Sequence, residues 1–384
     1  MNVTSNLKSL KELKSGVGYP EFLHTLHKND LPVCEIKESN ENLAKLSGMK
    51  PELPRTTYLS AIAAMEAMQD AEKNGLSFEQ FKIGFISGNT VGGMDTSEFF
   101  YTDFLNDPKS GHLREVIHHE CGSITQLVAD HLKINGIVTT ISTACSSSAN
   151  TMIHAARLIK HGHIDIAIAG GADALCRFTL NGFNTLMILD PEPSKPFDQN
   201  RKGLNLGEGA GYLVLVSDKI KQQFNLTVYG HLAGYANTND AFHQTASSAE
   251  GHGNFLAMQK ALNMSGLNTS EIDYINAHGT GTGNNDSSEG MAIQRLFEKN
   301  IPKISSTKAY TGHTLGACGG LEAVYSCLAI KHSIIFPTLR YQDRIEGLNF
   351  DVVKDLEENI PIQHVMSNSF GFGGNCSSLI ISKG

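Results

Sequence analysis

The sequence lacks several features that would assign it to a common class of protein. It has no run of about 18 apolar residues, which excludes a membrane-spanning helix, and its opening residues lack the apolar core of a signal peptide. The seven cysteines are an odd number without a CxxC pair, so we expect a reducing, cytoplasmic compartment instead of a disulfide framework or a zinc cluster. The net charge of −8, without a long basic run, argues against a nucleic-acid partner.

Glycine, in contrast, is abundant: the 384 residues include 37 glycines, many of them in clusters beside apolar, β-branched runs. Such runs alternate with helical patterns, which favours an α/β fold with a covered sheet. The clearest predicted strands are residues 81–88, 165–171 and 209–216.

The first 30 residues are predicted as one amphipathic helix that ends in a Gly-Val-Gly turn. Leu7, Leu10 and Leu13 recur on one helical face. A second helix, rich in alanine and methionine, is predicted over residues 56–71, and its composition suits close packing in a core.

A weak internal repeat divides the chain. Residues 209–216 and 373–381 are both glycine turns that lead into an apolar strand, one near the end of each half. Plain turns are an equally good explanation of this pattern. Taken as a repeat, it predicts two similar α/β halves, with a site where their loops meet.

Cys145 lies between the β-branched run 137–141 and the helical pattern 149–159. This order predicts a strand, a sharp turn and a buried helix, with the thiol at the turn. Free backbone N–H groups and the macrodipole at a helix N-terminus favour a thiolate. A lone cysteine in such a place is more often a buried structural residue, but the remaining motifs favour a nucleophile.

Two histidines and a lysine occur in glycine-rich loops. His278 follows the predicted strand 272–277, and Lys308 and His313 share the loop 306–316. A single histidine there is usually structural, whereas two of them, together with a turn-borne cysteine, favour a common reactive site. A metal site is disfavoured because HExxH and CxxC spacings are absent, and a Cys-His protease would need only one histidine as its base.

Taken together, these motifs resemble the β-ketoacyl-[acyl-carrier-protein] synthases of the elongating Cys-His-His class, the condensing enzymes of fatty-acid and polyketide synthesis. The resemblance extends from about residue 55 to the end of the chain. It implies a thiolase-like α/β fold in which two similar βαβαβ-type halves, residues 1–219 and 220–384, form a layered α/β/α/β/α core. The motifs that carry it are Thr143-Ala-Cys145, His278-Gly-Thr-Gly-Thr282, Lys308 with Thr311-Gly-His313, and Ser369-Phe-Gly-Phe-Gly-Gly374, with further matches at 169–172, 195–198 and 207–211.

The resemblance also implies the chemistry. Cys145 would take an acyl group from the phosphopantetheine thioester of a carrier protein, and the backbone N–H groups of Cys145 and Phe372 would form the oxyanion hole. His278 and His313, as neutral N–H donors, would stabilise the enolate that remains when malonyl carrier loses carbon dioxide. Lys308 would maintain the electrostatics of the site. Supporting roles are implied for Glu322, Phe370, Gly371, Thr280 and Thr282.

The expected partners follow from the same resemblance: an acyl carrier protein, and a second subunit in a homodimer or in a heterodimer with a related chain. No metal and no cofactor is expected beyond the phosphopantetheine of the carrier. The main alternative is a non-catalytic chain-length partner subunit, which usually lacks the nucleophilic cysteine. A thiolase or an initiating synthase of the Cys-His-Asn class is disfavoured by the Gly312-His313 motif. The pathway could make fatty acids, aryl polyenes or other polyketides.

Some positions depart from the family pattern. The usual opening β-strand before the first helix is missing, and we expect a version extended upstream to be more stable, because a lost strand leaves backbone groups unpaired. Gly283 replaces a common proline, Tyr310 a frequent methionine, and Asn375-Cys376 the usual Thr-Asn pair.

An aromatic cluster consists of Phe99, Phe100, Tyr101 and Phe104. It has three possible roles: it could fill the core, shape an acyl pocket or form part of a dimer interface.

Overall fold

The computed structural model describes residues 2–384. The helices are α1 (Val3–Lys11), α2 (Asn40–Ser47), α3 (Arg55–Lys73), α4 (Met94–Asn106), α5 (Cys121–His131), α6 (Ser147–Lys160), α7 (Arg177–Thr185), α8 (Asp218–Phe224), α9 (His252–Ser265), α10 (Gly283–Phe297), α11 (Lys308–Thr311) and α12 (Cys318–His332). The strands are β1 (Ile83–Gly88), β2 (Val138–Ile141), β3 (Ile166–Asp173), β4 (Gly209–Val216), β5 (His231–Asn239), β6 (Tyr274–Asn276), β7 (Lys303–Ser305), β8 (Ile334–Ile335), β9 (Glu357–Glu358), β10 (His364–Gly371) and β11 (Asn375–Ser382).

The first sheet has four strands in the order β2-β1-β3-β4. β1 pairs in parallel with β2 and β3, and β3 pairs antiparallel with β4. β1 and β3 are buried along their whole length. A strand with helices on both faces needs a continuous apolar run rather than an alternating one, and Ile166-Ala-Ile-Ala169 provides it.

The second sheet has five strands in the order β5-β11-β10-β6-β7. β10, β6 and β7 are parallel, whereas β11 runs antiparallel to both β10 and β5. The strands β7-β6-β10-β11 therefore repeat the pattern of the whole first sheet, and β5 is an additional strand at the edge.

Two helices, α6 and α12, form the layer between the sheets. They contact each other, α6 contacts β1, β3 and β11, and α12 contacts β4, β10 and β11. α3 and α5 cover the outer side of the first sheet, and α9 packs on the outer side of the second together with α10. This five-layer arrangement agrees with the predicted α/β/α/β/α core and brings the loops of both halves together at one edge of the central helices.

The prediction of one helix over residues 1–30 is wrong. The helix ends at Lys11, because Leu13 adopts a left-handed conformation (φ 57°). Leu13 is 44% exposed, so it does not join the core with Leu10. The chain beyond is irregular, and the Glu35 carboxylate holds it by accepting hydrogen bonds from the N–H groups of Glu21, Phe22 and Leu23. The backbone of residues 21–23 is thus ordered by the buried Glu35 carboxylate, which the leucine spacing of the sequence does not predict.

Among residues 2–384, none of the helices combines the length and the apolar composition that crossing a membrane requires. The division of the chain between residues 219 and 220 stays a prediction. The strands of the first sheet end at Val216, and those of the second begin at His231.

Candidate active site

The turn between β2 and α6 presents Cys145. Ala144 adopts a left-handed conformation (φ 52°), and the Ser147 hydroxyl accepts a 2.9 Å hydrogen bond from the Thr143 N–H, which closes the turn just before the helix begins. Gly371 approaches this turn so closely that a Cβ there would lie 3.0 Å from the Cys145 nitrogen. The close approach therefore favours glycine at position 371, beside the thiol.

Cys145 itself is buried. Burial raises the pKa of its thiol to about 11, and the opposing effects of the Lys308 ammonium and of the backbone N–H groups of Phe372 and Cys145 offset this only in part. The expectation of a thiolate at the helix N-terminus is thus outweighed by desolvation. The resting side chain is a thiol within reach of the Phe372 N–H.

His313 and His278 lie directly beside the thiol. The His313 Nε2 is 3.0 Å from the Cys145 Sγ, and the two imidazole rings meet edge to face with their centroids 5.3 Å apart. Burial lowers the pKa of both histidines well below the ordinary value, and the positive charge of Lys308 lowers it further. Both rings are therefore neutral near pH 7, with one N–H donor and one acceptor nitrogen each.

Lys308 forms a buried ion pair with Glu322 of α12. Burial lowers the pKa of Lys308, but the Glu322 carboxylate more than offsets this, so the pKa lies above the ordinary value and the side chain stays charged. A fixed cation next to two neutral histidines disfavours imidazolium and favours negative charge on a bound substrate.

Phe372 and Phe370 form the other wall of the site. The Phe372 ring stacks on Phe183 of α7 with a centroid distance of 5.7 Å, and the buried Phe370 ring lies 6.2 Å from the ring of His278. Gly371, directly before Phe372, lets this loop approach the nucleophile turn. The loop therefore combines an apolar wall with a backbone donor directed at the thiol.

Two family models match the chain: the β-ketoacyl synthase N-terminal domain over residues 33–219 and the β-ketoacyl synthase C-terminal domain over residues 229–342. A curated relative from Staphylococcus aureus, 3-oxoacyl-[acyl-carrier-protein] synthase 2, is 33% identical over 340 residues, which is 86% of this chain and 82% of the relative. The chain belongs to the β-ketoacyl synthase family. The family and the acyltransferase class predicted from the motifs are confirmed.

Solved structures agree with this result. The structure of the ishigamide ketosynthase/chain length factor is similar to this chain, with a TM-score of 0.94 and 29% identity. The match covers all of this chain and 96% of the ishigamide chain. A type II polyketide synthase ketosynthase, in complex with its acyl-carrier protein and bound to the hexaketide, matches all of this chain and 96% of its own, with a TM-score of 0.88 and 25% identity. The predicted thiolase-like fold is confirmed.

The remaining predicted site residues lie around this β-ketoacyl synthase centre. The hydroxyls of Thr280 and Thr282 are 3.0 Å apart, and the Thr280 N–H donates to the Asp286 carboxylate. The structure records no direct hydrogen bond from either threonine to Cys145, His278 or His313. Their contacts shape the glycine loop that carries His278.

Two acidic residues of α10, which sequence reasoning missed, hold that same loop. The buried Glu289 carboxylate accepts hydrogen bonds from the His278 N–H (2.9 Å) and the Gly279 N–H (2.8 Å), and Asp286 accepts from Thr280 and Gly281. On a polar helix such residues look solvent-exposed. Their position just after a glycine-rich loop, whose N–H groups need acceptors, is the signal that could have identified them.

Three more residues join the two halves, and two of them, Asp173 and Cys318, were missed by sequence reasoning. The Asp173 carboxylate, at the end of β3, accepts from the N–H groups of Thr90 and Gly316, the Cys318 thiol donates to the Cys145 carbonyl at 3.0 Å, and the Asn375 side chain accepts from Ser146 and Asn150. Asp173 could have been found as a carboxylate that directly follows a buried apolar run.

Asn375 and Cys376, which depart from the family pattern, have internal partners. Asn375 accepts the Ser146 and Asn150 hydrogen bonds described above, and the Cys376 thiol contacts the Asn254 side chain at 3.1 Å. Both positions thus support the nucleophile helix and the packing of the second sheet.

The aromatic cluster does not fill the core. α4 contains no buried residue, and 55% of Phe99, 60% of Tyr101 and 41% of Phe104 are exposed. Phe100 stacks on Phe104 with a centroid distance of 6.1 Å. The core-filling interpretation is therefore wrong, and a role in an acyl pocket or a dimer interface stays a prediction.

Proposed function

We propose that this chain is a 3-oxoacyl-[acyl-carrier-protein] synthase that elongates an acyl group on Cys145 with two carbons from malonyl carrier. The observation that carries the proposal is the 3.0 Å contact between the Cys145 Sγ and the His313 Nε2, with the ring of the neutral His278 adjacent. A nucleophile next to two neutral N–H donors suits both an acyl transfer and the stabilisation of an enolate.

In the first step, the Cys145 sulfur forms a bond to the carbonyl carbon of an acyl-carrier thioester. The bond from that carbon to the pantetheine sulfur breaks, and the thiol proton leaves with the pantetheine thiol. The backbone N–H groups of Cys145 and Phe372 stabilise the oxyanion in between, which is supported by their effect on the pKa of the Cys145 thiol.

In the second step, malonyl carrier loses carbon dioxide, and the electron pair of the broken carbon–carbon bond moves onto the thioester as an enolate. His278 and His313 each donate an N–H to the enolate oxygen, and the Lys308 cation favours the negative charge. The enolate carbon then attacks the acyl carbonyl, the Cys145 sulfur departs as a thiolate that takes up a proton from solvent to restore the thiol, and a β-ketoacyl carrier results. No external base is needed, since decarboxylation generates the nucleophile.

The three reactive groups also have the spacing of metal ligands, because one ligand atom each from Cys145, His278 and His313 lie within 4.8 Å of one another. The proposal assigns them to condensation without a metal or a cofactor, with phosphopantetheine arriving on the carrier. The Lys308 cation beside both histidines supports this assignment, since it repels a divalent ion.

Partners and compartment belong to the proposal as well. We assign an acyl carrier protein as the substrate carrier and a related or identical chain as the second subunit, no nucleic-acid partner, and a cytoplasmic location. Support comes from the ketosynthase structures described above and from seven cysteines that are all free, which suits a reducing compartment.

A chain-length partner subunit is the second candidate, because the overall likeness to a ketosynthase/chain length factor structure is high. Incubation with a panel of acyl-carrier thioesters, followed by intact mass spectrometry, decides between the two. We expect an acyl adduct on Cys145 and its transfer to malonyl carrier as a β-ketoacyl product. A chain that binds carrier but never gains an acyl adduct would be the partner subunit.

A further inference from the structure

The two N–H groups that the proposed function assigns to the oxyanion hole belong to separate parts of the fold. The Cys145 N–H lies in the nucleophile turn (residues 142–146) before α6, and the Phe372 N–H lies in the loop between β10 and β11. An oxyanion hole works only when both donors lie about 2.7–3.1 Å from the same oxygen. The turn and the loop must therefore be held at a fixed separation.

Backbone contacts limit this separation from one side only. Gly371 packs so closely on the turn that a Cβ there would lie 3.0 Å from the Cys145 nitrogen, which prevents a closer approach. Within residues 2–384, however, no backbone-to-backbone hydrogen bond joins residues 142–150 to residues 370–376. Packing thus sets a minimum distance, and a different contact must prevent the two segments from moving apart.

The loop between β10 and β11 makes other hydrogen bonds, but to its own half of the chain. The Gly373 N–H donates to the Gln244 carbonyl at 2.7 Å, and the Asn239 side chain donates to the Gly373 carbonyl at 3.0 Å. Both partners belong to the segment that begins with β5. These bonds therefore do not fix the loop relative to the nucleophile turn.

Asn375, three residues after Phe372, provides the contact between the two segments. Its Oδ1 accepts hydrogen bonds from the Ser146 hydroxyl at 2.7 Å and from the Asn150 Nδ2 at 3.0 Å. Ser146 directly follows Cys145, and Asn150 lies one helical turn further along α6. One side-chain oxygen thus joins the start of β11 to the nucleophile segment at two points.

Neighbouring hydrogen bonds fix the orientation of both amides. The Asn150 Oδ1 accepts from the Ser377 hydroxyl at 2.8 Å, so the Nδ2 of Asn150 faces Asn375. Asn237 of β5 donates a further N–H to the Asn375 Oδ1 at 2.6 Å. Because two amide groups donate to this atom, it must be the oxygen of the Asn375 side chain and not its nitrogen.

The contacts of Asn375 leave the decarboxylation part of the site untouched. In the part of the chain that the structure describes, its side-chain oxygen bonds only to Ser146, Asn150 and Asn237. None of these bonds reaches the two histidines, Lys308 or the Cys145 thiol. Loss of this oxygen should therefore change the separation of the two N–H donors and leave the sulfur and the histidines in place.

We infer that Asn375 is a positioning residue that holds the Cys145 and Phe372 N–H groups at the separation an oxyanion hole requires. The inference rests on the proposed function, in which Cys145 takes up an acyl group. Asn375 acts through Ser146 and Asn150 and not on the reacting atoms. It should thus affect a reaction of the thiol that passes through an oxyanion and spare one that does not.

Two reactions of the same sulfur separate these effects. Acylation by a carrier thioester passes through a tetrahedral oxyanion, whereas alkylation by iodoacetamide displaces iodide directly and forms none. Intact mass spectrometry follows both rates in the wild-type chain, in Asn375→Ala and in the matched control Asn237→Ala. The control removes one donor to the same oxygen but keeps both bonds to the nucleophile segment. The thioester is the member of the acyl-carrier panel that acylates the wild-type chain fastest.

We expect Asn375→Ala to slow acylation by about 10-fold to 10²-fold, the scale for a misplaced reacting group, with the alkylation rate unchanged. Asn237→Ala should leave both rates unchanged. The double variant Ser146→Ala/Asn375→Ala should acylate no more slowly than the slower of its two single variants, because both residues act through one contact.

Three results would overturn the inference. The first is acylation of Asn375→Ala at the wild-type rate or at the rate of Asn237→Ala. The second is an equal loss of acylation and alkylation, which would show that Asn375 supports the fold of the turn and not the oxyanion hole. The third is additive losses in the double variant. A wild-type chain that gains no acyl adduct from any member of the panel would overturn the proposed function, and this inference with it.

Discussion

The turn after β2 and the loops after β6 and β7 lie at corresponding strand ends, yet their reactive side chains are held by different means. Around Cys145 the supports are backbone and small side chains: the left-handed Ala144, the Ser147 hydroxyl and the close approach of Gly371. Around the histidines and Lys308 the supports are buried carboxylates, Glu289 and Glu322.

This difference matches the two halves of the proposed reaction. Acyl transfer needs a sulfur in a tight oxyanion hole, which packing and backbone geometry provide. Decarboxylation needs neutral N–H donors and a nearby cation, which the buried carboxyl groups hold in place. Substitutions around Cys145 should therefore block acylation. Substitutions of the buried carboxylates should slow decarboxylation and reduce the stability of the fold.

The largest expected effect is that of Cys145→Ala. Without the sulfur no acyl-enzyme can form, so condensation should fall by about 10³-fold or more. Product formation from acyl and malonyl carriers measures it, with Cys121→Ala as the matched control. Residual condensation near the wild-type rate would place the nucleophile elsewhere.

Lys308→Met should leave the Glu322 carboxylate buried without its partner. We expect the free energy of unfolding to fall by about 3–5 kcal/mol, the usual cost of breaking a buried pair from one side. The double variant Lys308→Met/Glu322→Leu should recover much of this loss. Denaturant titration measures the free energy of unfolding of both variants. A Lys308→Met variant as stable as the wild-type chain would show that the Lys308–Glu322 ion pair does not stabilise residues 220–384.

Glu289→Ala should affect only the decarboxylation step, because Glu289 positions the loop that carries His278. We expect decarboxylation to slow by about 10-fold to 10²-fold, the scale for a small misplacement of a reacting group, with no change in the acylation rate of Cys145. Glu289→Gln retains one acceptor oxygen and should restore part of the rate. An equal loss of acylation would mean that Glu289 supports the whole fold and not the histidine loop.

A smaller effect, measured per pH unit, concerns the pH dependence of Cys145 alkylation. Because burial raises the pKa of its thiol to about 11, the thiolate fraction increases with pH throughout the range below that value. The rate with iodoacetamide should thus rise about 10-fold per pH unit between pH 7 and 9. A flat profile would indicate a thiolate-imidazolium pair with His313.

Alkylation should also favour Cys145 over the other cysteines at a fixed pH. Burial raises the pKa of the Cys121 thiol to about 11 as well, but Cys121 lacks the facing Lys308 cation and the Phe372 N–H. Peptide mapping of the adducts measures the preference, and faster labelling of Cys121 or Cys34 would contradict it.

Much of the site could be predicted from the sequence, because its parts lie in loops of small residues that follow apolar strands. Cys145, His278, Lys308 and His313 each follow such a strand, and parallel strands that end at one edge bring their loops together. The supports could not be predicted in this way. Glu289 and Asp286 lie on the polar helix α10, and apart from their position just after a glycine-rich loop nothing in the sequence indicates that they are buried against the N–H groups of that loop.

The charge state of the nucleophile also depends on the fold. A helix N-terminus can be read from the sequence, but the extent to which Cys145 is removed from water cannot, and desolvation has the larger effect. The same limit explains the error at residues 1–30. The leucine spacing continued past Lys11, whereas the left-handed Leu13 ends the helix.

The central claim is that acylation and decarboxylation depend on different residues, and one paired measurement tests it most directly. Acyl-enzyme mass and carbon dioxide release are followed together for Cys145→Gln and His313→Ala. We expect Cys145→Gln to release carbon dioxide from malonyl carrier without elongation, because its amide imitates the acylated state. We expect His313→Ala to become acylated but to decarboxylate about 10²-fold more slowly, the scale for losing one oxyanion donor. If His313→Ala fails to acylate and Cys145→Gln releases no carbon dioxide, the division of roles is wrong.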